Sequence, residues 1–227
     1  MYKIVNNNIS ITRGETATYN VKLIDKTTGA PYILPSEVWV DKEEVDTEDI
    51  NKFIIVFSVR RSDYIKDGYA IKKFLWLCGI DDTAELPEEQ YRCNDVILLD
   101  DTKIYDYDSS ETLWSPDYDF TGNNQPDNIK ALFRAKLADG TYQYKANIPV
   151  KSGNTYTPNW VDYSFTIRFP FLYQDTATLS PKSYKYSMTI YGGSNLTIED
   201  GKIKEDTIDF KKPIVDADFI VGADINE

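Results

Sequence analysis

The sequence predicts an all-β fold, and three observations support that prediction. The 227 residues include 17 Tyr, 10 Phe and 4 Trp, and aromatic residues favour strands over helices. Several stretches alternate between apolar and polar side chains with a period of two, as expected for strands with one buried face. Clusters of Gly, Asn and Asp separate these stretches and predict turns. Antiparallel sheets with short connections fit all three observations.

The clearest alternation lies between residues 163 and 191. Two runs, 163–169 and 184–190, are joined by a link rich in turn-forming residues. Their apolar positions are Tyr163, Phe165, Ile167, Phe169, Tyr184, Tyr186, Met188 and Ile190. We therefore predict a pair of strands, each with one buried and one solvent-exposed face.

The amino-terminal third continues this pattern. Alternation around Ile9 and Ile11 predicts a short strand, residues 13–15 predict a turn or bulge, and residues 17–23 predict a second strand. Residues 32–34 predict a third short strand after a turn cluster.

The apolar run at 53–60 predicts a central strand with both faces covered. Residues 70–77 predict a further strand. Pro87, followed by two Glu residues, is typical of the start of a helix. Residues 100–128 are rich in turn-forming residues and predict an exposed loop.

Residues 129–148 fit two structures. Ile129, Leu132 and Leu137 have helical spacing, but residues 131–137 also alternate, and Asp139-Gly140 is a strong hairpin signal. We favour the hairpin. Beyond the 184–190 run, the sequence predicts turns at 192–195 and 200–201 and a last strand at 217–221.

Charge and composition exclude several functions. The formal net charge is −12, and nucleic-acid binding requires clustered Lys and Arg. Nucleic acid and anionic membranes are therefore not expected partners. The chain has no His, which removes the commonest general base and transition-metal ligand. We predict a protein that is not an enzyme, with no catalytic, cofactor-binding or metal-binding residues.

The amino terminus lacks the apolar segment of a secretory signal, and no stretch has the roughly 20 apolar residues of a membrane span. Synthesis in a cytoplasm is therefore expected. Cys78 and Cys93 are not a C-x-x-C pair. Two reduced thiols in or near a core are preferred over a disulfide or a metal site.

Two possible ligand sites have simpler interpretations. Asp106, Asp108, Ser110 and Asp117 have spacing that resembles a Ca²⁺ loop, but Glu111 occupies the position of the required Gly, and Asp replaces the bidentate Glu. A solvated acidic loop is the preferred interpretation.

The tryptophans offer the second possible site. Four of them could line a sugar-binding face, although aromatic residues on strands more often belong to cores and interfaces. They are Trp39, Trp76, Trp114 and Trp160.

Several segments together resemble an immunoglobulin-like domain of bacteriophage tail and baseplate proteins, the nearest type being the amino-terminal domain of baseplate upper proteins. They are ITRGETATYNVKL at 11–23, TGAPY at 28–32, VFSVRR at 56–61, DTATLSP at 175–181, YKYSMTI at 184–190 and FIV at 219–221. This sequence departs from the family pattern at Lys182-Ser183, where a Gly commonly precedes the Tyr pair.

The resemblance implies an immunoglobulin-like antiparallel β-sandwich with a β-rich insertion. Residues 1–61 and 163–227 would form one discontinuous domain, and residues 62–162 would be an inserted β-rich subdomain or long loops. The implied function is that of a non-enzymatic virion structural protein in a tail, baseplate, neck or capsid surface. Its partners would be other virion proteins and copies of itself.

Two alternatives remain open at the level of the sequence. One is a carbohydrate-binding or receptor-binding module that uses aromatic residues of the insertion. The other is a hydrolase based on carboxylates, which the absence of His and of a recognisable motif disfavours.

Overall fold

The computed structural model describes residues 3–5, 7–25, 27–34, 50, 52–61, 68–79, 83–93, 96–99, 104–106 and 130–223. Most of these residues lie in strands and few in helices, which confirms the predicted all-β, sandwich-like fold class. The strands are β1 (Lys3–Val5), β2 (Asn8–Thr12), β3 (Ala17–Leu23), β4 (Lys52–Arg60), β5 (Tyr69–Cys78), β6 (Gln90–Arg92), β7 (Ile104–Asp106), β8 (Ala131–Lys136), β9 (Tyr142–Asn147), β10 (Val150–Ser152), β11 (Thr155–Thr157), β12 (Trp160–Asp162), β13 (Phe165–Phe171), β14 (Lys182–Gly193), β15 (Ile198–Glu199), β16 (Lys202–Ile203) and β17 (Phe210–Gly222).

The chain divides into two compact units. The first contains residues 1–21, 46–95 and 167–227, and the second contains residues 22–45 and 96–166. These boundaries differ from the expected ones at 61 and 163. The reason is that β5, which belongs to the expected insertion, pairs with β4 along its length.

A seven-stranded sheet dominates the first unit, in the order β1-β2-β17-β14-β4-β5-β6. Its pairings are antiparallel except for β17 with β2 and β5 with β6, which are parallel. The predicted central strand is β4, which lies between β14 and β5 and buries side chains on both faces. The predicted last strand is the carboxyl half of the much longer β17.

One face of this sheet is covered by aromatic side chains around Phe57. Its ring centroid lies 5.5 Å from that of Phe169, 5.3 Å from Phe171, 5.3 Å from Tyr186 and 6.2 Å from Phe219. Phe169 and Phe171 belong to β13, which pairs with β3 in a separate two-stranded sheet. This second layer makes the unit sandwich-like.

A tyrosine pair joins the same two layers. The hydroxyl of Tyr19 on β3 lies 3.3 Å from that of Tyr186 on β14, and Tyr186 also donates to the carbonyl of Asn7. Burial raises the pKa of both tyrosines above its usual value. Both therefore stay protonated and able to donate hydrogen bonds at neutral pH.

The predictions for 163–191 are confirmed in part. Both runs are strands, and all eight apolar side chains named for them are buried. Their mutual pairing is wrong, since β13 pairs with β3 while β14 pairs with β4 and β17. The link between the strands contains a helix, α1 (Tyr173–Ala177), so the chain passes from one layer to the other instead of turning back in one sheet.

A buried ion pair attaches α1 to the sheet. The Lys73 side chain on β5 is only 2% exposed, and its Nζ lies 2.7 Å from Oδ2 of Asp175. The ammonium also donates to the Tyr91 hydroxyl at 3.0 Å. Asp175 Oδ2 accepts the backbone N–H of Leu172 at 2.6 Å, which caps the first turn of α1. The buried ammonium of Lys73 therefore has both a counter-charge and a hydrogen-bond acceptor inside the protein.

The amino-terminal turn requires its glycine. Gly14 has φ +71°, and a Cβ at this position would lie 2.8 Å from a ring carbon of Tyr173. Its N–H donates to the Thr176 hydroxyl at 2.9 Å, so this turn packs against α1. The predicted strands on either side of the turn are confirmed as β2 and β3.

Two predicted elements are wrong. Residues 32–34 form no strand, and the residue before them, Pro31, forms an isolated bridge with Ile24. The Tyr32 carbonyl instead accepts the Tyr163 hydroxyl at 3.1 Å. The expected helix start at Pro87 is a turn, because the Glu89 carbonyl accepts the N–H of Phe74 at 2.9 Å and directs the chain into β6.

The second face of the large sheet carries a smaller apolar cluster. It contains Ile54, Phe74, Trp76 and Leu196. The hairpin of β15 and β16 covers it, with turns at 194–195 and 200–201 close to the predicted positions. A Cβ at Gly193 would lie 2.3 Å from the Thr207 carbonyl oxygen, so this connection approaches β14 at backbone distance.

The second unit is built on a four-stranded sheet in the order β12-β9-β8-β7. The hairpin preferred for 129–148 is confirmed as β8 and β9. In its turn, Asp139 accepts hydrogen bonds from the N–H and the hydroxyl of Thr141 at 2.9 and 2.6 Å. Strand β7 lies within the predicted loop at 100–128, and the rest of that loop lies outside the described residues.

We predict that Phe57→Ala destabilises the protein much more than Phe210→Ala. Phe57 is fully buried among four aromatic rings, so its truncation should lower the free energy of unfolding by about 3–5 kcal/mol. Phe210 is half-buried, with its ring 6.1 Å from that of Phe53. Urea denaturation followed by tryptophan fluorescence provides the measurement. Equal losses in the two variants would contradict the central role of Phe57.

We also predict that Asp175→Asn costs more stability than the double variant Lys73→Met/Asp175→Asn. The single change leaves a buried ammonium without its carboxylate, a loss of up to about 3 kcal/mol, and the double change removes that charge as well. A double-mutant cycle by urea denaturation gives the coupling energy. Additive effects of the two single changes would show that the ion pair does not anchor α1.

Candidate functional site

The possible Ca²⁺ loop falls largely on residues that the structure does not describe. Asp106 is the last residue of β7, and Asp108, Ser110, Glu111 and Asp117 lie outside the described residues. Within the described part of the chain, no group of three or more His, Cys, Asp or Glu side chains could hold a metal ion. No helix in the same part has the length and apolarity to span a bilayer.

The two described tryptophans occupy packing positions. Trp76 is buried, and its indole N–H donates to Oε1 of Gln90 at 2.9 Å. Trp160 packs edge-on against Phe133, with ring centroids 5.0 Å apart. They belong to different core clusters, while Trp39 and Trp114 lie outside the described residues.

The two cysteines are free thiols. Cys93 is buried and Cys78 is half-buried. Burial raises the pKa of the Cys78 thiol to about 11, so almost none of it is present as the nucleophilic thiolate at neutral pH.

A cavity of about 430 Å³ lies on the second face of the seven-stranded sheet. Its floor combines neighbouring positions of three strands. Ser58 on β4 pairs with Ser187 on β14 and with Lys72 on β5, and one step along, Val56 pairs with Thr189 and Phe74. The two serine hydroxyls lie 3.1 Å apart. The floor therefore combines hydroxyl groups with the apolar side chains of Val56 and Phe74.

The segment after β15 forms one wall of this cavity. Lys202 and Ile203 of β16 line it, as do Glu205 and Ile208 in and after a short 3₁₀ turn (Glu205–Thr207). The Asp209 N–H donates to the Gly192 carbonyl at 3.0 Å, which ties the end of this wall back to β14.

Three lysines face the cavity, against one carboxylate. The lysines are Lys72, Lys202 and Lys211, and the carboxylate is Glu205. None of the three lysines forms an ion pair with a residue that the structure describes. Lys204 on the same segment does, with Nζ 3.9 Å from Glu199 and 3.7 Å from Asp206. The cavity is therefore locally positive in a chain of net charge −12.

Aromatic rings hold two of these ammonium groups. Lys72 Nζ lies 5.0 Å from the ring centre of Phe74 and 5.4 Å from that of Tyr69, and it donates to the Gly201 carbonyl. Lys211 Nζ lies 5.6 Å from the ring centre of Tyr191. Burial lowers the pKa of Lys72, the nearby Lys202 lowers it further, and Glu89 opposes both effects. Burial and the neighbouring ammonium of Lys202 therefore both disfavour the charged form of Lys72, which a ligand carboxylate would favour.

The second unit has an exposed two-stranded hairpin. All six residues of β10 and β11 are exposed, and these strands pair only with each other among the described strands. Two of the six are large and apolar or aromatic, namely Val150, which is 55% exposed, and Tyr156, which is 38% exposed.

The cavity was not predicted from the sequence. The one sequence feature that points to the cavity is a set of small hydroxyl residues on one face of strands whose opposite face is strongly apolar. These residues are Ser58, Ser187 and Thr189. The charged residues come from distant positions, and only the strand order of the folded sheet brings them together.

Comparison with known proteins adds no further assignment. No protein-family model, curated protein or solved structure matches the chain.

Proposed function

We propose that this chain is a non-enzymatic structural protein of a bacteriophage virion, which acts through assembly contacts with other virion proteins and with copies of itself. The observation that carries the proposal is where the two segments with the family resemblance lie in the fold. Strands β2 and β4 come from 9–61, β14 and β17 come from 163–227, and all four are in one sheet. An interrupted immunoglobulin-like domain requires such a joint sheet.

The sheet edges favour contacts made by side chains and loops. The described sheets of four and seven strands end in β1, β6, β7 and β12, each of three residues. Short edge strands give little template for pairing with another chain. Assembly at these four edges therefore depends on projecting segments more than on sheet extension, whereas the two-stranded sheet of β3 and β13 has edges of seven residues.

The β10–β11 hairpin is the projecting segment best suited to such a contact. A two-stranded hairpin is marginally stable in water, and this one buries none of its strand residues in the free chain. Covering Val150 and Tyr156 with a partner would remove apolar surface from water, at about 25 cal/mol per Å². Tyr also provides a large contact area with few rotatable bonds.

The first test is whether purified virions contain this chain. We expect peptide mass spectrometry of virions, purified from cells that produce this chain, to find it at a defined copy number. Treatment with high salt before the final gradient separates built-in components from adsorbed protein. Particles that never contain the chain would overturn the proposal.

The second test addresses the hairpin. The double variant Val150→Ser/Tyr156→Ser should keep the urea midpoint of the parent, because both side chains are exposed, but should be incorporated several-fold less into particles. Ile220→Ser on β17 is the matched control, since it removes an exposed apolar side chain elsewhere. Undiminished incorporation of the double variant would exclude this hairpin as an assembly contact.

A further inference from the structure

We infer that the cavity on the second face of the seven-stranded sheet binds a sugar that carries a carboxylate. Its lining includes Tyr69 and Phe74 of β5, which belong to the 62–162 segment whose aromatic residues the sequence suggested for carbohydrate binding. It does not depend on the proposed virion function, because it can be tested on the purified chain alone.

The charge of the cavity selects an anion. Lys72, Lys202 and Lys211 line it without ion-pair partners among the described residues, and Glu205 offsets only one of the three charges. A ligand carboxylate would supply the missing counter-charge. Charge-assisted hydrogen bonds to ammonium groups are among the stronger polar contacts in proteins.

The remaining lining fits a ring with several hydroxyl groups. Ser58, Ser187 and Thr189 place hydroxyls on the floor, where each can donate one hydrogen bond and accept others. Tyr69 and Tyr191 add ring surface and phenol groups at the sides. A simple anion such as acetate or phosphate would leave these groups unused, whereas a sugar ring can engage them.

The dimensions also suit a small ligand. The volume of about 430 Å³ lies in the lower part of the usual range for small-molecule sites, which is roughly 300–1,000 Å³. Pairing within the sheet fixes the floor, and contacts with the rings of Phe74 and Tyr191 restrict the ammonium groups of Lys72 and Lys211. Such preorganisation lowers the entropy cost of binding.

The experiment is calorimetric titration of the full chain at low ionic strength. The probes are glucuronate, galacturonate and N-acetylneuraminate, with glucose, acetate and inorganic phosphate as comparisons. We expect at least one acidic sugar to bind about tenfold more tightly than glucose and than either simple anion. Equal affinity for the acidic sugar, acetate and phosphate would show a general anion surface and overturn the inference. Absence of binding by all three acidic sugars would do the same.

Variants locate the binding to the cavity. Lys211→Gln and Lys72→Met should each weaken binding of the acidic sugar about tenfold. Lys204→Gln is the matched control, because this lysine lies on the same segment but pairs with Glu199 and Asp206 instead of lining the cavity. The affinity of the Lys204→Gln variant for the acidic sugar should stay within twofold of that of the parent.

Circular dichroism and the urea midpoint identify variants that fail to fold. Lys72 is the partly buried member of the set, so the exposed Lys211 keeps the test decisive if Lys72→Met unfolds. Equal affinities for the parent and a folded Lys211→Gln variant would place the sugar elsewhere and overturn the inference.

Discussion

The packing around Phe57 is the constraint on which the first unit depends. One ring on β4 contacts rings from β13, β14 and β17, which lie more than a hundred residues further along the chain. Interiors are packed as densely as organic crystals, so a ring in this position fixes the spacing of the two layers. The same contacts decide which side chains of β4 face inward. The alternate residues, Ile54, Val56 and Ser58, must therefore face the opposite side of the sheet.

The opposite face of the sheet carries both an apolar cluster and the cavity. Near Ile54 the outer face is apolar and is covered by Leu196 and the β15–β16 hairpin. Near Ser58 the same face carries hydroxyl and ammonium groups. The segment after β15 lines the cavity there but does not fill it. One part of this sheet face is thus covered by packed side chains, and the other part is accessible as a cavity. The boundary between them falls within two residues of β4, where apolar side chains give way to a serine.

The sequence predicted strands better than it predicted their partners. Alternation at 163–169 and 184–190 and the apolar run at 53–60 depend only on which faces of each strand are buried, and these segments lie almost entirely in strands in the structure. Pairing depends on contacts across the whole chain, and the link after β13 contained no signal strong enough to reveal α1. Helix-like features at Pro87 were overridden by hydrogen bonding of the Glu89 carbonyl to β5. The cavity was beyond prediction because Lys72, Lys202 and Lys211 meet only through strand order.

The parallel pairing of β17 with β2 has a consequence for how the protein is made. Phe219 lies opposite Ile9, and the N–H of Arg13 donates to the Gly222 carbonyl at 3.1 Å. During synthesis, β2 leaves the ribosome some two hundred residues before the strand beside which it must lie. Its apolar side chains, Ile9 and Ile11, therefore lack their neighbouring strand in the sheet until about two hundred further residues have been synthesised. Such distant pairing slows folding and leaves the nascent chain open to aggregation until β17 is released.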